Sequence, residues 1–287
     1  MADTDSPTPE AAFAALGNEH RVAILETLVA AAEDGERTLT FSELYNRVDV
    51  GSSPQFAYHL DKLDGLFVVA SEDGYRLTQA GEKVARAVRS GVYNERPSFE
   101  PTAVDGACPH CDATELLASF REPLLTVSCE DCDRQLVSYN LPPGQGPDRE
   151  PMAVLRAADR QVRHEYAAAV DGVCPECGGT TDVAVHEKDA PDPGTQYAVV
   201  TCRTCGLRVF APVGVRLLSH PSVVAFYWER GVDVTAVPLW SIHSVLDEWE
   251  TTVTRTDPLE LRVVVSHEGD ELRLSVDETL AVSPLNA

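Results

Sequence analysis

Between residues 41 and 78 the apolar positions change period, and the change predicts a helix, a tight turn, a second helix and a β-hairpin. Phe41, Leu44, Tyr45 and Val48 fall at i, i+3, i+4 and i+7, one stripe of a helix that Asp49-Val50-Gly51 breaks. Ser52 and Ser53 are good N-cap residues and Pro54 suits a first helical turn, so a second helix starts there. Its Phe56, Leu60 and Leu63 repeat at i, i+4 and i+7 and face the core, which sets Gln55, Tyr58, His59 and Lys62 on the opposite side. Gly65 reads as a left-handed cap. Residues 67–71 and 75–77 then read as strands joined through Glu72-Asp73-Gly74, an Asp-Gly hairpin signal.

Around this stretch the pattern is helical. Phe13, Leu16, Val22, Leu25, Leu28 and Val29 mark a helical run to about residue 32, with Gly17 as an interruption. Residues 1–9 form an acidic, polar leader expected to be mobile, and residues 38–40 a short first strand of the hairpin sheet. After the hairpin, Thr78 caps a helix lined on one side by Ala80, Val84, Ala87 and Val88 and ending at Gly91. Residues 93–103 then read as a linker.

Beyond the linker the chain repeats itself. Val104-Asp105-Gly106-Ala107-Cys108-Pro109-His110-Cys111 returns as Val170-Asp171-Gly172-Val173-Cys174-Pro175-Glu176-Cys177, and each copy is followed by a second pair, Cys129 with Cys132 and Cys202 with Cys205. All eight cysteines fall into these four Cys-x2-Cys pairs. Two such knuckles let four thiolates surround one ion tetrahedrally, the arrangement of a zinc ribbon. With every ligand place filled by Cys, no position is open for water or substrate, so two structural Zn sites are expected, with iron as the minority ion. Disulfides are the alternative in an oxidising compartment, and a redox Cys-x-x-Cys would need a βαβ context that is not visible here. A zinc deaminase is excluded: neither Cys108 nor Cys174 follows a proline, and His186 and Glu187 are adjacent.

Each ribbon is followed by a helical pattern, residues 151–170 with Met152, Leu155, Val162 and Tyr166 as apolar markers, and residues 220–231 around Phe226-Tyr227-Trp228. That aromatic run reads as core. Residues 142–147 form a turn-rich connection. Residues 238–250 read as a further helix, and residues 259–265 and 271–276 alternate strictly as an antiparallel hairpin.

The chain has 287 residues and is 44% hydrophobic, enough for two or three domains with real cores. Its 46 acidic residues give a formal charge of −23, and the only lysines are Lys62, Lys83 and Lys188. Such a balance is typical of proteins of salt-saturated cytoplasm. It argues against binding nucleic acid through a basic patch. At molar salt, however, the Debye length falls to about 3 Å, and binding rests on direct hydrogen bonds, shape and apolar contact. No secretory pattern and no run of about 20 apolar residues is present, so a cytoplasmic protein without a membrane span is expected.

The face made by Gln55, Tyr58, His59 and Lys62 donates hydrogen bonds where an acidic protein would ordinarily show Asp and Glu, with Ser52 and Ser53 at the helix start and Arg76 on the hairpin. Leu16-Gly17-Asn18-Glu19-His20-Arg21-Val22-Ala23-Ile24-Leu25 and Gln55-Phe56-Ala57-Tyr58-His59-Leu60-Asp61-Lys62-Leu63 carry a resemblance. This first third of the chain resembles the winged helix-turn-helix domain of ArsR-type transcriptional regulators, particularly those of salt-loving archaea. The resemblance implies duplex DNA as partner and a homodimer held by the first and last helices of the domain. The metal-sensing cysteines of that family are missing between residues 41 and 78, so that sensing is not carried over.

The expected architecture is α+β: a winged helix-turn-helix at 1–92, a linker at 93–103, zinc-ribbon repeats with helices at 104–169 and 170–232, and an α+β segment at 233–287. The expected function is a sequence-specific DNA-binding transcriptional regulator, not an enzyme, with any small-molecule effector unassigned. The alternative is a protein–protein or RNA-associated assembly module.

Overall fold

The computed structural model describes residues 7–121, 123–145, 149–187 and 195–285; most of the leader, together with Gly146 and Pro147 of the turn-rich connection, lies outside them. The described residues form a mixed α+β chain with nine α-helices and four small antiparallel sheets. Two compact units emerge, Met1–Arg96 with Pro142–Gly144, and Pro97–Leu141 with Gln145–Ala287. Among the described residues no helix is long and apolar enough to cross a membrane.

In the first unit the helical run divides at Gly17 into α1 (Pro9–Leu16) and α2 (Glu19–Glu33), because Asn18 turns extended and its side chain caps α2 at the His20 and Arg21 amides. α3 (Phe41–Arg47) opens on a capping box between Thr40 and Glu43. α4 (Ser53–Asp61) follows, then β1 (Val68–Ser71) and β2 (Gly74–Leu77), which pair in register Val68↔Leu77 to Ser71↔Gly74. The expected third strand shrinks to a single bridge, Leu39↔Tyr75. That bridge needs Gly74: its φ is +126°, and a Cβ there would lie 2.4 Å from the Leu39 carbonyl oxygen. α5 (Gln79–Arg89) is capped by Thr78 as expected, but it buries Gly81 and Ala85, whereas Ala80 is exposed. Small residues allow the closer approach: the ideal Cβ position on Gly81 is only 2.0 Å from the Phe67 carbonyl oxygen. The core joins Ile24, Leu25 and Leu28 of α2 to Leu44, Phe56, Leu60, Leu63 and Val68.

In the second unit β3 (Ser98–Val104), β4 (Leu116–Arg121), β5 (Leu124–Cys129) and β6 (Gln135–Asn140) form a sheet in chain order. Most of the expected linker is therefore strand β3, an edge strand that accommodates Pro101 at a register shift between Phe99 and Thr102. α6 (Pro151–Val170) leads to a three-stranded sheet of β7 (Thr181–His186), β8 (Tyr197–Cys202) and β9 (Arg208–Pro212). Two short helices follow, α7 (Val213–Leu217) and α8 (Pro221–Trp228). Phe226 and Tyr227 are core as expected, while Trp228 is 66% exposed.

The helix expected over 238–250 is broken into a 3-10 turn, Leu239–Ser241, and the single turn α9 (His243–Leu246). Opposite demands break it. Trp240 sits in the core of the first sheet, with its Nε1–H donating to the Asp105 carbonyl at 3.0 Å, while Ile242 and Val245 belong to the core of the second. The final hairpin is the middle of a four-stranded sheet, β10 (Glu250–Thr256), β11 (Leu259–His267), β12 (Asp270–Asp277) and β13 (Val282–Pro284). Leu261, Val263, Val265, Leu274 and Val276 on its inner face join Ala198 and Val200 of β8 in one core.

α6 connects the two cores. Val154, Leu155 and Ala158 pack in the first and Tyr166, Ala169 and Val170 in the second. Asp159 fixes its middle, accepting from Arg163 Nε at 3.0 Å and from the Leu239 amide at 2.8 Å. Trp240→Ala should destabilise the second unit by about 3–5 kcal/mol, since it empties a buried aromatic site and leaves the Asp105 carbonyl without its donor. Denaturant unfolding of the two proteins side by side checks this, and a difference under about 1 kcal/mol would contradict the packing role.

Candidate functional site

Each of the four Cys-x2-Cys segments folds into the same tight turn. The first cysteine's N–H donates to the carbonyl five residues on, Cys108 to Ala113, Cys129 to Arg134, Cys174 to Gly179 and Cys202 to Leu207, each at 2.8 Å. The residue after the second cysteine then turns left-handed: Asp112 (φ 58°), Asp133 (φ 56°), Gly178 (φ 73°) and Gly206 (φ 76°). Gly and Asp are among the residues that tolerate this conformation, so the sequence signature is Cys-x2-Cys-Gly/Asp, one residue longer than the cysteine spacing alone.

The sheets bring the turns together in pairs. Cys129 is the last residue of β5 and pairs with Leu116; Cys202 is the last residue of β8 and pairs with Thr181. The result is two groups, Cys108, Cys111, Cys129 and Cys132, and Cys174, Cys177, Cys202 and Cys205, whose sulfurs all lie within 4.8 Å of one another in each group. Across the knuckles Cys108 and Cys132 are 3.6 Å apart and Cys111 and Cys129 3.5 Å; the second group repeats this at 3.6 Å for both Cys174–Cys205 and Cys177–Cys202. A tetrahedral ion with metal–sulfur bonds of about 2.3 Å spaces its ligands about 3.8 Å apart, so both groups fit a metal ion with little movement.

Local amides prepare these sulfurs. The Cys202 thiol is pulled down to about 6, by the Cys205 amide first and the Thr204 amide after it, against an opposing effect of burial. Burial pushes Cys108 up, yet the His110 and Cys111 amides and neighbouring thiols outweigh it and bring it to about 7. Cys111 and Cys205 are instead raised to about 12: burial and their sulfur neighbours overcome the amides of Ala113 and Leu207. Four sulfurs at this spacing do not all hold a negative charge unaided, and a dication relieves the conflict by displacing the protons.

The expected DNA-facing residues are placed as follows. Ser52, Ser53, Gln55 and Lys62 are exposed on or beside α4, Tyr58 is 55% exposed, and Arg76 is exposed on β2. The Lys62 ammonium lies 5.5 Å from the centre of the Tyr58 ring. Ser52 is the N-cap but makes no side-chain capping bond, and the first turn of α4 holds no acidic residue, so no side chain caps its amides.

His59 departs from the expectation. It is only 6% exposed, its ring centre is 5.1 Å from that of His20, and its Nδ1 is buried without a partner. The reason is helical geometry: His59 lies three residues after Phe56 and four before Leu63, inside the buried arc. Counting i, i+3, i+4 and i+7 from Phe56 finds it, whereas counting i, i+4 and i+7 does not. Burial, then the positive ends of His20 and Arg21, hold its pKa below the usual histidine value.

A family model described as Domain of unknown function (DUF7351) matches residues 105–282, more than half of the chain and both cysteine groups. A second, Domain of unknown function (DUF7347), matches residues 9–88. No curated protein and no solved structure matches the chain.

Two measurements bear on these residues. Elemental analysis of the purified chain should find two metal ions per chain, falling to one in Cys129→Ser or Cys202→Ser; an unchanged count would contradict the grouping. The lowered His59 pKa implies that below about 6.5 the unfolded chain takes up a proton that the folded chain refuses. Stability conferred by the neutral imidazole is thus complete above that pH and is lost as pH falls toward the folded value. His59→Phe should flatten this acid limb, read as unfolding midpoints against pH.

Proposed function

We propose that this chain, which belongs to the family described as a domain of unknown function (DUF7351), is a sequence-specific DNA-binding transcriptional regulator. On this reading α3, α4 and the β1–β2 hairpin are a winged helix-turn-helix of ArsR-like type, and α4 enters the major groove. The observation that carries it is the outer arc of α4, where Gln55, Tyr58 and Lys62 stand exposed on a helix whose N-terminal amides have no side-chain cap. Gln55 is suited to a base edge, Tyr58 and Lys62 to base or phosphate, and Ser52, Ser53 and Arg76 to phosphate. His59 supports α4 from behind.

Zinc is the ion proposed for the two cysteine groups, since four thiolates in a closed tetrahedron suit it and leave no position for chemistry. These are then two zinc ribbons with a structural role, in a cytoplasmic chain that is not an enzyme. A homodimer is proposed through α1 and α5, supported by Phe13, which is 76% exposed on α1.

The second reading, an assembly module that binds protein or RNA, is favoured by the charge of −23. Selection from genomic duplex fragments in high KCl separates the two: the regulator enriches discrete sequences, and the module enriches none. Within that assay Gln55→Ala with Tyr58→Ala should cost about 1–3 kcal/mol of discrimination for each specific contact. Unchanged enrichment in the double variant would remove α4 as the reading helix.

A further inference from the structure

α6 carries a basic stripe that no carboxylate among the described residues pairs with. Arg156, Arg160 and His164 follow at i, i+4 and i+8, so they stand on one face about 6 Å apart along the axis. All three are exposed. Among the described residues no carboxylate reaches ion-pair distance of Arg156 or Arg160. Other helical arginines are held: Arg163 of the same helix by Asp159, and Arg86 of α5 by Glu82 at i−4. With 46 acidic residues against 23 basic ones, a helix face with two successive arginines and a histidine is the reverse of what composition favours. Like charges at i, i+4 also weaken the helix itself.

We propose that this face of α6 is a contact for the phosphate backbone of duplex DNA, separate from α4 and blind to base sequence; it rests on the DNA-binding reading. Two guanidinium forks can each grip a phosphate through paired N–H donors. The interval of their positions along the helix is comparable to the separation of successive phosphates on one strand. An extended acidic peptide repeats its carboxylates at a similar interval, so the choice of DNA over an acidic protein rests on the DNA-binding reading and on the last arm of the test below. Contacts of this kind position a protein on DNA, while the base-edge contacts specify the site.

The test uses the full chain with Arg156→Gln and Arg160→Gln together, Gln55→Ala and Tyr58→Ala together as the comparison, and one enriched and one unenriched duplex titrated over a range of KCl. The arginine variant should lose affinity for both duplexes by a similar factor of about ten or more. The slope of log K against log salt should become shallower by about 1.8, two phosphates at 0.9 each. Wild-type affinity and slope in that variant, while the α4 variant loses sequence preference, would overturn the stripe and leave the regulator standing. No binding of either duplex by the wild type would overturn both. Retention of the wild type on immobilised polyglutamate, lost in the arginine variant with DNA binding unchanged, would also overturn it and assign the face to an acidic protein.

Discussion

Four sulfurs held within 4.8 Å of one another, twice over, are the constraint on which the second unit depends. Thiolates at such spacing repel, and a multivalent cation turns that repulsion into cohesion. The consequence reaches past the ligands because Cys129 and Cys202 terminate β5 and β8, the central strands of their sheets. Fixing those ends fixes the register in which Leu125 and Val127, and Ala198 and Val200, point into their cores.

The two sheets are not independent modules in spite of their shared sequence. The repeat begins at Val104 and Val170, yet Val104 ends strand β3 while Val170 ends helix α6. The first sheet thus gains a fourth strand, and the second gains instead the end of a helix whose other half is already packed on the first. Asp159 and Arg163 then tie the 237–239 segment to that helix, with Arg163 donating to the Val237 carbonyl. Through α6 and Trp240 the loss of one core exposes part of the other, which makes the unit cooperative.

What the sequence disclosed follows from how local each cause is. Cysteine spacing, the Asp-Gly hairpin and the Thr78 cap are decided within a few residues, and the structure places them where the pattern put them. The strands at 98–104 and 250–256 were hidden for a physical reason. One carries Pro101, and the other has Val253 as its single large apolar residue, so neither alternates; each is a strand because a neighbour supplies its partners. The 238–250 segment has helical spacing and still breaks, because Trp240 and Ile242 are drawn to different cores. His59 was misplaced by one step of the helical wheel. Residues such as Arg156 and Arg160 have no local signature at all, since the carboxylates that would have paired with them can come from anywhere in the chain.

An acidic chain that binds DNA is a contradiction only if net charge decides the matter. In molar salt the Debye length is about 3 Å, so a carboxylate on another face of the molecule is not felt by a phosphate at contact. What counts is then the identity of the groups that touch. On the proposed reading those are Gln55, Tyr58 and Lys62 on α4, Arg76 on β2, and Arg156 and Arg160 on α6, all exposed. The remaining acidity keeps a solvated surface over the other faces, which discourages non-specific association. Specificity then rests on the groups that meet the duplex and not on the sign of the whole chain's charge.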